Sequence, residues 1–333
     1  MGDSMKRKAN LLLPLSCFGL FIFMILSAET VTSGAKAGIE LCIYTVLPAL
    51  FPFILIATVL TDITAGCSVT FLKPLRRFCG IPEGAENIFL LGILGGYPTG
   101  AQAVTKNYRD GKITQQEAEH LLRFCNNAGP AFIFGVIGNI LNNFGICLLI
   151  WAIHIGSAII TGMLFARPAN SHMTIGKKDI SFTDALDRTV KTMGKICGWI
   201  VLFRIVIAFI DKYLYVAFPT EVTLILCGIL ELSNGCIRLN GLDTLSIFII
   251  ASFMLSFGGV CVWMQTASII KPLRMRNFCI GKCVQSIVSV LLCFLIAPIW
   301  FDIPIAVSFT CAALILGLIV IKKSSSFLKV SRV

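Results

Sequence analysis

The run GGYPTGA at residues 95–101 interrupts the apolar stretch NIFLLGIL at residues 87–94, where a membrane helix would otherwise continue. Glycine permits backbone conformations that other residues avoid, and Pro98 removes a backbone donor, so a straight helix cannot pass through this sequence. Within lipid, the freed N–H and C=O groups need protein partners or a water-filled cavity. The run therefore predicts a broken membrane helix, and with it a candidate binding site.

The composition is that of a membrane protein. Of the 333 residues, 56% are hydrophobic and 14% are charged, and the mean hydropathy is +0.87. Soluble domains carry roughly 25% charged residues. The net charge of +11 fits basic loops kept on the cytoplasmic side, and because no nucleic-acid-binding motif accompanies it, we expect no nucleic-acid partner. Most of the fourteen cysteines lie in apolar runs, where free thiols pack as small hydrophobes.

Apolar runs predict several spans of a lipid bilayer, as in a multi-pass protein of the cell membrane. The run at residues 11–27 follows three basic residues, and the chain ends in a basic tail, so both termini are expected in the cytoplasm. The run at residues 38–60 contains Pro48 and Pro52. Two prolines four residues apart indicate either a re-entrant hairpin or a kinked ordinary span.

Polar motifs follow the first break. Thr114 and Glu117 have capping-box spacing and predict a helix, which we expect to lie at the membrane interface. The next run, FCNNAGPAFIFG, places Asn126, Asn127 and Pro130 before an apolar helix. Either asparagine is a candidate cap, and proline suits a first helical turn. The start of this helix would either attract an anionic ligand or form a simple cap in water.

Three ionisable residues fall within predicted spans, where such residues are costly and usually functional. His154 would bind substrate, relay protons or pack against a neighbouring helix. Arg204 would pair with an acid or an anionic substrate, or extend to the interface. Glu231, followed by Ser233 and Asn234, predicts a hairpin tip at membrane depth. The alternative is a short span with Glu231 at the headgroup level.

The second half of the chain repeats the order of the first. Gly258 and Gly259 break an apolar run and precede Gln265, as the first glycine pair precedes Gln102. Interrupted segments at corresponding positions of two halves point to a transporter site at the repeat interface. The expected organisation is an N-terminal membrane helix (1–37), a first repeat (38–165), a linker (166–180) and a second repeat with C-terminal membrane helices (181–333).

Four runs carry a resemblance to a known family: GYPTGA (96–101), GKITQQEAEHLLRFCNNAGPAFIFG (111–135), LELSNG (230–235) and SFGGVCVWMQTASI (256–269). Their order resembles the nucleoside-recognition, or Gate-domain, membrane proteins, and most of all their sporulation branch of YlbJ-type integral membrane proteins. The resemblance implies an all-α polytopic membrane fold similar to concentrative nucleoside transporters, with two inverted repeats, re-entrant hairpins and broken helices. For the sporulation branch it implies movement of dipicolinic acid across a forespore membrane.

The residues and the resemblance together define a candidate site for a small-molecule substrate. His154 and Arg204 are candidate coupling or charge partners, and we expect no catalytic residue, metal or cofactor. A homo-oligomer is compatible with this interpretation. The candidate substrate-binding residues are Tyr97, Pro98, Thr99, Gly100, Asn126, Asn127, Glu231, Ser233, Asn234, Gly258, Gly259 and Gln265.

Three functions fit these residues. The first is a carrier of a small planar anion such as dipicolinate, with Tyr97 stacked on the ring and helix starts facing the carboxylates. The second is a nucleoside or nucleobase carrier, which suits the carboxyl group of Glu231 better. The third is a membrane scaffold or assembly factor without transport. An enzyme is not expected, because the sequence lacks a catalytic triad pattern, paired metal ligands and a phosphate loop.

Overall fold

The structure is a computed structural model that describes residues 2–63, 72–169, 181–214 and 218–330, and the regular structure in these ranges is helical. The helices are α1 (Gly2–Leu26), α2 (Ala28–Leu41), α3 (Leu47–Ile63), α4 (Lys73–Cys79), α5 (Glu86–Leu94), α6 (Thr99–Arg109), α7 (Gln115–Leu121), α8 (Pro130–Phe132), α9 (Gly138–Leu141), α10 (Phe144–Leu164), α11 (Phe182–Tyr213), α12 (Thr220–Leu230), α13 (Leu232–Ile237), α14 (Thr244–Phe257), α15 (Gly259–Ile269), α16 (Met275–Trp300) and α17 (Ala306–Val330), with π-helical turns at Cys42–Val46 and Ile133–Ile137.

Among the described residues, five helical segments are long and apolar enough to cross a membrane. A hydrocarbon core of about 30 Å needs roughly 20 apolar residues. Shorter apolar helices accompany these segments. The chain is therefore a polytopic membrane protein, as its composition predicts. The five segments are Ala28–Leu60, Phe144–Leu164, Phe182–Tyr213, Thr244–Ile269 and Met275–Trp300.

The segment with two prolines is a kinked span, so the hairpin alternative is wrong there. Helix α2 passes through the π-helical turn at Cys42–Val46 directly into α3. Pro48 and Pro52 lie within α3, after the wide turn. A π-turn accommodates the local loss of regular hydrogen bonding without reversing the chain. The helix also runs across residue 38, where the sequence suggested that the first repeat begins.

Close backbone contact joins the first span to α11. A Cβ atom on Gly34 would lie 2.9 Å from Ala208 Cβ, and one on Gly38 would lie 2.9 Å from Val201 Cα. Small residues four positions apart allow membrane helices to approach through their backbones. This contact brings α11, from the second half of the sequence, against the beginning of the first half.

The opening motif forms a helical hairpin, here called hairpin 1, which comprises α5, residues 95–98 and α6. A Cβ atom on Gly92 in α5 would lie only 3.4 Å from Gly100 Cα in α6, so the two helices pack together. Gly96 at the tip has a φ of +73°, which side chains disfavour. The predicted break is confirmed, and the chain reverses direction there.

A second hairpin, hairpin 2, comprises α12, Glu231 and α13. Glu231 has an extended backbone and separates the two helices. A Cβ atom on Gly235 would lie 2.2 Å from Gly228 Cα, so the arms are in backbone contact. The tip predicted at Glu231 is therefore present.

Each half also contains an interrupted helical segment. In the first half, residues 126–129 have no regular structure and separate α7 from α8. The capping box of Thr114 and Glu117 is confirmed at the start of α7. Most of α7 is buried, however, so the expectation of a helix on the surface is wrong: α7 is covered by neighbouring helices. In the second half, Gly258 alone, with a φ of +83°, separates α14 from α15.

The start of α8 differs in part from the prediction. Pro130 occupies the first turn as expected, but Gly129 is the N-cap. Asn126 and Asn127 instead use their side chains in contacts with other segments. Their amide groups satisfy polar groups of the buried break, where partners are scarce.

Both halves thus follow one order: a span, a hairpin, an interrupted segment and another span. Hairpin 1 corresponds in this order to hairpin 2, and residues 126–129 correspond to Gly258. The sequence pattern instead matched the two glycine pairs with each other. Residues 170–180 of the expected linker and residues 331–333 of the expected basic tail lie outside the described residues.

Candidate functional site

The tips of both hairpins and both interrupted segments meet at one cavity of about 40 Å³. That volume admits a few water molecules, since a single water needs roughly 10–15 Å³ by this kind of measure. The first span and α11 supply its apolar wall. The lining residues are Val46, Leu50, Gly96, Tyr97, Ala128, Gly129, Phe132, Ile196, Ile200, Glu231, Leu232, Ser233, Val262 and Gln265.

Tyr97 connects the tip of hairpin 1 to the second interruption. Its hydroxyl donates a hydrogen bond to the Leu255 carbonyl at 2.9 Å. A Cβ atom at Gly258 would lie 3.1 Å from the Tyr97 Oη atom. Any side chain at residue 258 would therefore press against the tyrosine as well as strain the backbone. The phenol ring is held in a fixed place at the cavity wall.

Glu231 forms the opposite wall and is 2% exposed. Its Oε2 atom accepts hydrogen bonds from the Asn234 backbone N–H at 2.8 Å and from Asn234 Nδ2 at 2.7 Å, while Oε1 accepts from the Ser233 N–H at 3.1 Å. The carboxyl group thus caps α13 and satisfies the first backbone donors of that helix. A ligand in the cavity would therefore meet the acceptor oxygens of Glu231 here, and not free backbone N–H groups at the start of α13.

Gln265 is the polar residue that α15 contributes to the cavity. Its Nε2 atom donates to Cys261 Sγ at 3.2 Å. Behind it, Asn126 accepts from the Ala101 N–H and donates to Thr266 Oγ1, each at 3.2 Å. Asn126 therefore caps α6 from a distance and joins it to α15.

His154 links the two interrupted segments. The Ala128 N–H donates to its Nε2 atom at 3.0 Å, and its Nδ1 atom lies 3.1 Å from Ser256 Oγ. Because Nε2 accepts from a backbone donor, the neutral ring carries its proton on Nδ1 and donates it to Ser256. The structure therefore shows the packed histidine that the sequence left as one alternative.

Arg204 lies apart from the cavity and forms an ion pair with Asp211 at 3.1 Å. Asp211 also pairs with Arg238 at 2.7 Å. The structure therefore shows the pairing with an acid that the sequence allowed for Arg204, and that acid is Asp211, seven residues further along α11 and not in the cavity.

A second, polar opening of about 460 Å³ lies beside hairpin 1, and we call it the basic cleft. Among the described residues, its lining contains five basic residues and two acidic ones. Asp62 pairs with Arg188 and lies 3.6 Å from Lys106. Thr99 belongs to the cleft and Tyr97 to the cavity, so the start of α6 separates the two spaces. The charged lining residues are Asp62, Lys106, Arg109, Asp110, Arg188, Lys191 and Lys195.

The predicted site residues therefore divide by location. Glycines 100, 258 and 259 allow close packing, Pro98 is the N-cap of α6, and Thr99 lines the basic cleft. Asn126, Asn127, Asn234 and His154 hold the surrounding framework through side-chain hydrogen bonds. The cavity itself is lined by Tyr97, Glu231, Ser233 and Gln265.

Comparison with known proteins finds a relative that aligns with most of the chain. The chain is 24% identical to the sporulation integral membrane protein YlbJ of Bacillus subtilis (strain 168) over 338 aligned positions, which cover 84% of this chain and 81% of that protein. No family model matches the chain. No solved structure matches it. The relative supports a multi-pass membrane protein of the YlbJ type, while membership of the Gate-domain family stays a prediction.

The sequence missed one prominent buried group. Residues 271–282 resemble a basic loop in the sequence, but α16 begins at Met275, and Lys282 and Gln285 are fully buried within it. Both side chains contact Asn127, behind the cavity. The apolar run that follows Lys282 could have indicated this. If the helix predicted from that run begins about two turns earlier, at Met275, Lys282 lies within it.

Proposed function

We propose that this chain is a membrane carrier that binds a small solute between its two hairpin tips. The main observation is that both hairpins and both interrupted segments line the same cavity. Broken helices at matching positions of two halves are the usual construction of a carrier site. The repeated order of elements also supports the finer proposal of two inverted repeats with a fold similar to concentrative nucleoside transporters.

The cavity corresponds in this proposal to a closed state of the carrier. Its volume of about 40 Å³ is too small for an aromatic dicarboxylate or a nucleoside. Substrate entry requires one hairpin to separate from the interrupted segment opposite it. A scaffold would have no need for a cavity at this junction, and for that reason we prefer a carrier to a scaffold.

For the substrate, we propose a small planar anion, with dipicolinate as the specific candidate. The basic cleft beside hairpin 1 would raise the local concentration of anions, because its basic residues outnumber its acids. Tyr97 offers a ring face in the cavity wall. The printed name of the relative places that protein in sporulation, which fits movement of dipicolinate across a forespore membrane.

A nucleoside or nucleobase is the second candidate substrate, and Glu231 is the observation that favours it. Glu231 lines the cavity, and none of the described residues that line it is a lysine or an arginine. Acceptor oxygens suit the hydroxyl and N–H groups of a nucleoside. A dicarboxylate would need Glu231 to be protonated or to share a coupling cation.

Transport into vesicles tests the proposal directly. The purified full chain is placed in liposomes that contain terbium, which luminesces when dipicolinate chelates it, and a parallel set receives radiolabelled uridine. We expect dipicolinate entry at least tenfold above protein-free liposomes, and at least a tenfold loss in Glu231→Gln and Asn127→Ala. Both variants remove hydrogen bonds at or behind the cavity while the membrane spans stay intact.

Glu221→Gln is the matched control, because this exposed glutamate lies ten residues away on the first turn of α12. It should transport like the unmodified chain. If uridine enters the liposomes and dipicolinate does not, the nucleoside becomes the preferred substrate. Entry of neither compound above the protein-free level would contradict the carrier proposal, and full transport by Glu231→Gln would contradict the site.

A further inference from the structure

Lys282 lies in the membrane-embedded interior, where ionisable groups are rare and costly. The residue lies in the span Met275–Trp300 and has no exposed surface. In the described part of the chain, no carboxylate oxygen lies within 4.0 Å of its nitrogen atom. Neutral groups alone must therefore stabilise the ammonium ion.

Three neutral oxygen atoms surround the Lys282 Nζ atom. Gln285 Oε1 is 2.6 Å away, Tyr97 Oη is 3.3 Å away, and Asn127 Oδ1 is 3.4 Å away. An ammonium group has three protons to donate, so the number of donors equals the number of acceptors. The Nζ atom also lies 5.3 Å from the centre of the Tyr97 ring, within the range of a cation–π contact.

Other hydrogen bonds fix these oxygens in their orientation. The Tyr97 hydroxyl proton is donated to the Leu255 carbonyl, so its oxygen is left to accept from Lys282. Asn127 Nδ2 donates to the Phe124 carbonyl at 2.6 Å, and Gln285 Nε2 donates to Asn127 Oδ1 at 3.0 Å. These bonds orient the three oxygens towards the lysine nitrogen atom.

A set of converging neutral oxygens without an acid is suited to a monovalent cation. Oxygen ligands bind hard cations, and the absence of a carboxylate removes the charge that a divalent ion requires. The ligands come from the tip of hairpin 1, from residues 126–129 and from α16, so a cation at their centre holds these three segments together.

We propose that Lys282 is a tethered cation, whose ammonium group fills a monovalent cation site and fixes the tip of hairpin 1. A dissolved sodium or potassium ion is then not needed to close this hairpin. For the transport cycle, this inference rests on the proposed carrier function: hairpin 1 should close during transport without sodium bound beside Tyr97. The site itself can be tested without transport.

Removal and chemical replacement of the ammonium group test the site. Lys282→Ala deletes the charge and leaves space for a short alkylammonium ion. The purified full chain is heated in equal concentrations of ethylammonium chloride, sodium chloride or choline chloride, and the midpoint of unfolding is measured. We expect a lower midpoint for Lys282→Ala in choline, and recovery of at least half of the loss in ethylammonium.

The unmodified chain and Lys191→Ala, which removes an exposed lysine paired with Asp187, should respond equally to all three salts. Lys282→Met keeps the bulk of the side chain and serves if Lys282→Ala does not fold. Hydrogen exchange of hairpin 1 should then increase at least tenfold, while hairpin 2 stays unchanged. Absence of rescue in Lys282→Ala, or unchanged exchange in Lys282→Met, would overturn the inference.

The two proposals fail separately. Rescue by ethylammonium without transport of either substrate supports the tethered cation and contradicts the carrier. Transport without rescue contradicts the tethered cation and leaves the carrier in place.

Discussion

Replacement of Gly100 by alanine should destabilise hairpin 1 strongly, because the added methyl group has no room. The new Cβ atom would lie 1.8 Å from the Cys125 carbonyl oxygen and 2.9 Å from Asn126 Cα. An ordinary carbon–oxygen contact is roughly 3.3 Å, so the backbone around Cys125 would need to move by about 1.5 Å. Both obstructing groups are backbone atoms, and no side-chain rotation can relieve the contact.

The expected cost is at the upper end of the range for overpacking, about 3 kcal/mol. The better helix propensity of alanine offsets roughly 0.5–1 kcal/mol of this. The net loss of about 2 kcal/mol corresponds to a fall of roughly 4–8 °C in the unfolding midpoint, if this chain follows the scaling of domains of 150–250 residues. The midpoint is measured on the purified chain in detergent. Samples are heated to a series of temperatures, and the monodisperse protein that remains is quantified by its fluorescence.

Gly198→Ala provides the matched control within α11. Apart from the neighbouring turns of α11 itself, no heavy atom of the described residues lies within 4 Å of the Cβ position at Gly198. Its midpoint should stay constant or rise, because the substitution brings only the gain in helix propensity. If Gly100→Ala were as stable as Gly198→Ala, hairpin 1 would not pack on Cys125 as described, and the framework of the cavity would be wrong.

Two further predictions concern α7. Thr114→Ala removes the helix cap whose Oγ1 atom accepts from the Glu117 N–H at 3.3 Å, and this should lower the free energy of unfolding by about 1 kcal/mol. The control is Thr310→Ala, at an exposed helical position, which should lower it by less than about 0.5 kcal/mol. Equal unfolding midpoints for the two variants would contradict the capping role. Burial lowers the pKa of His120 from 6.5 to about 4, and the charges of Arg123 and Arg167 act in the same direction. The unfolded chain therefore takes up a proton on His120 between about pH 6.5 and pH 4, while the folded chain does not. Stability should be complete above pH 6.5 and fall by up to about 3 kcal/mol as the pH decreases towards 4, and His120→Gln, compared by midpoints at pH 7.5 and 5, should lose this part of the pH dependence.

The sequence by itself determined where helices break and where one of them is capped. Pro98 lacks a backbone donor, glycines at 96 and 258 permit a positive φ, and Thr114 with Glu117 forms a capping box. These effects act within a few residues along the chain, so they can be derived from the local sequence. The number and length of the apolar segments likewise follow from composition, because a bilayer of fixed thickness acts as the solvent.

The tertiary structure alone decided which segments meet and which polar groups become partners. Pro48 and Pro52 kink a continuous span, Arg204 finds Asp211, and Asn126 caps α6. Lys282 illustrates the reason most clearly. Its partners, Tyr97 and Asn127, are 185 and 155 residues away in sequence, and the free energy that places them together comes from the packing of helices around them. The break at residues 95–98 is thus a local property of the sequence, whereas the cavity and the cation site beside it exist only because two halves of the chain pack together.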